Sequence, residues 1–484
     1  MSSSSATIMR SLVTTFRTNN SVMALDIVIM AAGKGTRMKS ARPKVLHRLA
    51  GRSLLQHVVD TAATLKADRT VAITGHGAAQ VEAAFAGAGL AFVRQEPQLG
   101  TGHAVQQAVP QLHDEGTTLI LNGDVPLIEA DTLAKLVHAC GGKSLALLTV
   151  VLDDPSGYGR IVRSGDSVGG LVEAIVEHKD ANEAQRRIRE VYTGVMAAPT
   201  ALLKRWLANL KNDNAQKEYY LTDVVAMAVA ERVRVVATHA HDETEVLGIN
   251  SPAQLADLER RYQRRLADAL MEAGVRLADP NRFDLRGELT CGQDVEIDVN
   301  CVFEGRVELG NNVRIASHCV IRNCRIADNA VIHSFTHIDG EAQGARVGAG
   351  ALVGPFARLR PGAELAEEVH IGNFVEVKNS TLARGAKANH LAYLGDATVG
   401  ERVNYGAGSI TANYDGANKH RTVLGDDVHV GSNCVLVAPI TVGAGATIGA
   451  GSTVSKDVPP GQLTVARAKA ASLPGWTRPL KAKK

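Results

Sequence analysis

The chain has 484 residues, beyond the ~250–300 at which one hydrophobic core stops growing, so two or more domains are expected. Lys and Arg number 53 against 50 Asp and Glu, and the resulting +3 is too balanced for nucleic-acid or membrane binding through bulk charge. Hydrophobic residues at 45% exclude wholesale disorder, while aromatics at 4% beside 46 glycines point to a core of small aliphatic side chains and a repetitive architecture.

Residues 1–23 hold Ser, Thr and two arginines without one acid. That is the composition of an organellar transit peptide, of a disordered tail, or of a start codon placed too early with Met23 the true start. Nothing after them is organellar in character, so a disordered extension or mis-called start is expected. From Leu25 the run LDIVIMAAG reads as a strand entering a glycine turn. Strand candidates follow at 71–74, 118–127 and 145–152, with helical patterns over Leu54–Leu65 and Thr132–Cys140 between them. The alternation predicts a mostly parallel sheet covered by helices. A charged helical pattern over 253–274, ending at Gly274, predicts an arm between domains. The domains are therefore placed at 24–252 and 278–484, with 253–277 as a helical linker.

After Asp279 aliphatic side chains recur every six residues: Ile297, Phe303, Leu309, Ile315 and Ile321, then Ile326, Ile332 and Ile338. The period resumes from Val347 to Val377 and from Leu424 to Val454. A hexapeptide period is the mark of a parallel β-helix, three hexapeptides to a triangular coil with an aliphatic side chain at each corner. Residues 383–398 and 411–423 carry no repeat and are expected as loops leaving the coil, where repeat proteins build their binding face. Cys140, Cys291, Cys301, Cys319, Cys324 and Cys434 form no CxxC pair and read as buried thiols of a reducing compartment. No apolar run reaches the ~18–20 residues that cross a bilayer, so a soluble, cytoplasmic protein is expected.

The segment IMAAGKGTRMKSARPKVLHRLAG (29–51) supplies a strand, a glycine turn and two cations. Gly33 and Gly35 let backbone N–H groups approach phosphate oxygens, and Arg37 and Lys44 can neutralise them. The spacing is not GxxxxGK[ST], which sets the P-loop aside, nor GxGxxG, which weakens a dinucleotide reading. Asp124, in NGDVPL (122–127), ends a strand candidate, and in parallel sheets ligands bind at that end. The string AAGKGTRM followed by PKVL resembles the signature of sugar-1-phosphate nucleotidylyltransferases. The resemblance extends through QEPQLGTGHAV (95–105), GYGRI (157–161), VEHKDA (176–181), YTG (192–194) and GIN (248–250). It implies a Rossmann-like α/β (glycosyltransferase-A-like) domain that binds UTP through Met30, Ala31, Ala32, Gly33, Lys44, Gln95, Gly100, Thr101, Asn122, Gly123 and Asp124. Gly159, Glu177, Tyr192 and Asn250 would complete the UDP-sugar site, with Asp124 and Asn250 holding Mg²⁺. Tyr192 stands where the family commonly has Asn, so altered contacts are expected there.

In the repeat half, RLRPGAEL (358–365), GNFVEVKN (372–379), NHLAYLGDA (389–397), NYGAGSITANYDGANKHRT (404–422) and VGSN (430–433) are similar to the acetyltransferase half of a bifunctional family. Its members fuse N-acetylglucosamine-1-phosphate uridylyltransferase to glucosamine-1-phosphate N-acetyltransferase and make UDP-N-acetylglucosamine for peptidoglycan and lipopolysaccharide precursors. The resemblance spans nearly the whole chain from Leu25 and implies a left-handed β-helix assembled as a homotrimer, whose acetyltransferase sites are completed by neighbouring copies. It assigns His390 as general base, and an amine that loses a proton while attacking a thioester suits an imidazole titrating near working pH. Arg360, Lys378, Tyr393 and Asn404 would bind glucosamine-1-phosphate; Ala407, Asn413, Tyr414, Ser432, Ala450 and Arg467 would bind acetyl-CoA. Tyr405 on the aliphatic register, and Asn389 and Ala392 beside His390, depart from the common pattern. His318, His333, His337 and His370 suggest a zinc alternative but do not reproduce an obvious three-ligand set. A second alternative is a single-function nucleotidylyltransferase whose β-helix only regulates or oligomerises.

Overall fold

The computed structural model describes residues 23–164 and 170–481. The expected disordered extension or early start therefore lies outside the described residues, Met23 excepted. The chain divides into two compact units, Met1–His47 with Ser53–Leu255, and Arg48–Arg52 with Ala256–Lys484.

The first unit is built on strands β1 (Leu25–Ala31), β2 (Arg69–Thr74), β3 (Ala91–Arg94), β4 (Thr117–Asn122), β5 (Leu145–Val151), β6 (Gly159–Arg163), β7 (Val172–Val176), β8 (Glu190–Pro199) and β9 (Val235–His239). The sheet runs β9-β5-β8-β4-β1-β2-β3, with β6 and β7 added off β8. β1, β2, β3 and β4 are mutually parallel, whereas β8 runs antiparallel to β4, β5 and β6. Hydrophobic runs such as LDIVIMA bury both faces, as a sheet covered on two sides requires. Along β1 the alternation sends Ile27 and Ile29 into one core and Val28 into the other. The flanking helices include α1 (Leu54–Thr64), whose N-terminus Ser53 caps by accepting from the Gln56 N–H at 3.2 Å, and α2 (Ala130–Cys140).

The second unit is a parallel β-helix. Every corner side chain named from the six-residue period is buried. In one ladder Ile297, Ile315, Ile332, Val353, Ile371, Ala388, Tyr405, Val430 and Ile448 stack coil upon coil. A second holds Phe303, Ile321, Ile338, Leu359, Val377 and Leu394. Each Val, Leu, Ile or Phe among them contributes ~1.5–3 kcal/mol by leaving water, which is how a chain poor in aromatics builds a continuous core. The helix α3 (Pro252–Glu272) lies at the start of the coil, where Gln263 donates to Leu285 O at 2.8 Å and accepts from Leu285 N at 2.7 Å. That pairing satisfies strand groups that the open end of the coil would leave bare.

Two expectations need correction. Residues 383–398 do not leave the coil: Lys387–His390, Tyr393–Gly395 and Ala397–Val399 continue its ladders, with Ala388 and Leu394 in the corners. The period is hidden because a corner is filled by alanine and because Val377 to Leu382 and Leu394 to Val399 are steps of five. His390 consequently sits at the end of a ladder strand, not in an insertion. In the second interruption Ile410–Ala412 and Thr422–Leu424 stay on the ladders, and only residues 413–421 project, closed by a bridge between Tyr414 and Lys419. Five cysteines are buried and Cys291 is half-buried; all six are free thiols.

Candidate active sites

At the carboxyl ends of β1 and β4 the first unit opens a cleft with two adjoining hollows, both lined by Met30, Thr101, Asn122 and Asp124. The parallel strands stop there together, leaving loops to form the walls. Ala31, Ala32, Gly33, Lys44, Gln95 and Gly100 line one hollow; Arg37, Gly159, Glu177, Tyr192 and Asn250 line the other. Gly123 is anchored under them, its N–H donating to Met30 O at 2.9 Å.

Lys44 is the centre of the shared region. Its Nζ donates to Asp124 Oδ2 and, at 3.0 Å, to Asn250 Oδ1. The glycine turn sets this up: Gly35 has φ +58, and a Cβ there would stand 2.7 Å from Lys44 Cβ. Arg37 is exposed in the short turn Thr36–Met38. Gln95, 3% exposed, donates to Gly100 O at 2.9 Å, which ties the end of β3 to the start of the next helix. Glu177 Oε1 accepts from Thr222 Oγ1 at 3.1 Å. Burial, and then Asp180, Asp223 and Glu218, raise the Glu177 carboxyl above its ordinary range, against the Thr222 hydrogen bond. Tyr192 lies 7% exposed with its hydroxyl shut away from solvent and, among the described residues, without a partner, and burial followed by Glu177 holds its proton on.

In the second unit His390 is exposed, and its Nδ1 lies 2.9 Å from Asn373 Oδ1 in the coil below. The two residues are register partners across that pair of strands. Asn373 was not singled out from the sequence because its partner is 17 residues away and meets it only through the coil. Arg360 is steadied by Glu376, whose Oε1 accepts from Nη1 at 2.8 Å. Lys378 follows in the next coil, beside Lys419 on the projecting loop, a cation that sequence reasoning also passed over. Lys419, then burial, then Arg360 lower the Lys378 ammonium below its ordinary value, against the nearby Asp396 carboxylate. Tyr393 folds its ring over Gly395, where a Cβ would stand 2.3 Å from the hydroxyl oxygen. Asn404 is exposed opposite Lys387, one coil on.

Asp396 binds Asn379 through Oδ1 and Asn413 through Oδ2, both at 2.5 Å, and so fixes the root of the projecting loop. Tyr414 on that loop is exposed. Ala407, Ser432 and Ala450 rise in one column, joined by Asn433 N–H to Ala407 O and Gly451 N–H to Ser432 O, both at 2.8 Å. Arg467 Nη1 donates to Ala450 O at the top of that column. Of the four histidines weighed for zinc, His318 stacks on Phe335 with ring centroids 4.9 Å apart. Among the described residues no three His, Cys, Asp or Glu side chains gather as a metal cage. Among the same residues no helix is long and apolar enough to cross a membrane.

The chain matches the MobA-like NTP transferase domain over residues 27–215 and the bacterial transferase hexapeptide (six repeats) over 290–323 and 421–456. The protein named bifunctional protein GlmU in Methylibium petroleiphilum is 77% identical over 461 residues, covering 94% of this chain and 99% of that one. Its namesake in Polaromonas naphthalenivorans is 69% identical over 464 residues, again 94% of this chain, and 98% of that one. A solved UDP-glucose pyrophosphorylase in complex with UDP-glucose is 18% identical with a TM-score of 0.41, covering 50% of this chain and all of the other, too distant to bear on the assignment. With both domain families matched and these relatives 77% and 69% identical over 94% of its length, the chain belongs to the family of bifunctional GlmU proteins.

Proposed function

We propose that the chain acetylates glucosamine-1-phosphate with acetyl-CoA in its β-helix, and then couples N-acetylglucosamine-1-phosphate to UTP in its first unit, releasing pyrophosphate and UDP-N-acetylglucosamine. The observation that carries this reading is the joint presence of two reactive centres in one chain: Lys44 gathered with Asp124 and Asn250, and His390 aligned by Asn373.

In the first reaction Arg360 and Lys378 bind the sugar phosphate, and Tyr393 and Asn404 hold the sugar. Asn373 accepts the Nδ1 proton of His390, which leaves Nε2 with a lone pair. Nε2 takes a proton from the amine as its nitrogen attacks the thioester carbonyl, and the C–S bond breaks to release the thiol. Ala407, Asn413, Tyr414, Ser432, Ala450 and Arg467 hold acetyl-CoA. In the second reaction Gln95, Gly100 and Thr101 read the uracil edge, while Gly159, Glu177 and Tyr192 border the sugar. A sugar-phosphate oxygen attacks the α-phosphorus as the bond to the β-phosphate breaks, and Arg37 and Lys44 offset the developing charge.

The donor set fits Mg²⁺: the hard oxygens of Asp124 and Asn250 converge on one position where a cationic ammonium already rests. When bound, the ion would neutralise phosphate charge there. Self-association as a trimer is supported by an exposed apolar stripe, Phe335, Phe356 and Phe374, which climbs the coils to the Asn373–His390 corner. A cytoplasmic setting accords with six free thiols.

The deciding experiment follows thiol release from acetyl-CoA with glucosamine-1-phosphate present or omitted, and UDP-sugar formation from UTP and N-acetylglucosamine-1-phosphate. Sugar-dependent release together with UDP-sugar is the expected result. UDP-sugar without thiol release would leave a nucleotidyltransferase carrying a β-helical scaffold.

A further inference from the structure

After Trp206, Arg160 has the largest side chain that the fold buries completely, at 1% exposure. It stands on β6, where its register partners are Val191 on β8 and Val176 on β7. Among the described residues no carboxylate pairs with it, and its Nε has no partner at all. Burial works against its charge. A buried, unpaired cation is costly, and an apolar side chain of similar volume would fill the same space without that cost. Packing therefore gives no reason for a guanidinium here.

Its hydrogen bonds supply one. Nη1 donates to Tyr158 O, and Nη2 points to His178 Nδ1 at 3.2 Å and to Arg186 O at 3.5 Å. Because Nη2 can only donate, His178 Nδ1 accepts. Tyr158 precedes Gly159, and His178 follows Glu177; all but His178 line the cleft. Those two segments also meet beside the cleft, since a Cβ at Gly159 would stand 3.6 Å from Glu177 Oε1. The fork of Arg160 thus ties them together from behind, and only a planar group with several fixed donors reaches both at once.

We propose that Arg160 is a positioning residue for the N-acetylhexosamine phosphate, setting the spacing between Gly159 and Glu177 without touching the substrate. This rests on the reading that this end of the cleft holds the sugar. The test is steady-state kinetics of the full chain carrying R160M, R160K or H178F. In R160M the KM for N-acetylglucosamine-1-phosphate should rise about tenfold or more, while the KM for UTP and kcat stay within about threefold. R160K, which keeps the charge but not the fork, should fall between R160M and the unaltered chain. Acetyl transfer by the same preparations should not change and reports that the chain is folded. Equal rises in both KM values, a loss confined to kcat, or no change would overturn the proposal. If R160M does not fold, R160K and H178F read the same split. If the unaltered chain forms no UDP-sugar from these substrates, the parent reading fails instead.

Discussion

Asn373 Oδ1 stands 2.9 Å from His390 Nδ1, one coil of the β-helix below it. An amide oxygen only accepts, so Nδ1 carries a proton, and in the neutral ring the unshared pair is on Nε2. Replacing His390 by Ala should lower acetyl transfer about 10²–10⁴-fold, the usual worth of a general base. Asn373→Ala keeps the base but frees its tautomer and orientation. It should lower kcat about tenfold or more with the KM for glucosamine-1-phosphate unchanged. Thiol release measures both, and UDP-sugar formation should be normal in each variant. Unaltered acetylation in the His390 variant would remove it as the base.

Lys44 occupies the position where Asp124 and Asn250 meet. Asp124→Asn keeps the shape but withdraws the negative charge that both the lysine and a divalent cation need. Uridylyl transfer should fall about 10²–10³-fold, and excess chelator should do the same to the unaltered chain. Acetyl transfer should survive both treatments. Loss of acetylation on chelation would place a metal dependence in the β-helix, where no three metal-ligating side chains gather among the described residues.

Glu177 provides a pH dependence. Its carboxyl titrates above the ordinary 4.5, chiefly because it is buried. The folded pKa exceeds the unfolded one, so the first unit gives up stability as pH rises from the unfolded value through the folded one. If the carboxylate accepts hydrogen bonds from the sugar, the KM for N-acetylglucosamine-1-phosphate should climb as pH falls through that same raised pKa, above where a free glutamate would titrate. Glu177→Gln should flatten both profiles. A pH-independent KM in the unaltered chain would remove Glu177 from the sugar contacts.

What the sequence made legible follows from what leaves a local trace. A corner aliphatic every six residues announces the coil, and the strand end at Ala31 follows from an apolar run that stops at a glycine-rich turn. The strand candidate over 118–127 runs too far, because Val125 and Leu127 stay buried after the strand has ended at Asn122. Direction leaves no such trace, so nothing in EVYTGVMAAP foretold that β8 runs antiparallel inside a largely parallel sheet. Ala388 concealed a corner because alanine is as common off the register as on it. Asn373, Lys419 and Arg160 acquire their partners from neighbouring coils or strands, and a lone polar residue in sequence reads first as solvated.

The stripe of Phe335, Phe356 and Phe374 tests the assembly. Each has a positive φ, 61°, 54° and 58°, a conformation that bulky residues rarely adopt, and their stacked rings stay about half exposed in the single chain. Phe356→Glu should lower the mass measured by light scattering from trimer toward monomer and reduce acetyl transfer, leaving uridylyl transfer intact. A trimer of unchanged stability would place the contact on another face.

Tyr405 takes a corner that aliphatic side chains fill elsewhere. Its hydroxyl is buried and, among the described residues, without a partner, and burial pushes its ionisation far up. Its neighbour in the coil below is Ala388, the smallest side chain of that column, and above it stands Val430. The ring is therefore wanted for volume and the hydroxyl is not. Tyr405→Phe should stabilise the β-helix by ~1–2 kcal/mol through removal of an unsatisfied polar group, raising its Tm by roughly 2–6 °C. Tyr405→Val restores the aliphatic pattern but empties the space over Ala388, and should cost ~2–4 kcal/mol. A calorimetric scan of the two variants separates the roles. Should Phe destabilise as Val does, the hydroxyl has a partner in the assembled protein that the single chain does not supply.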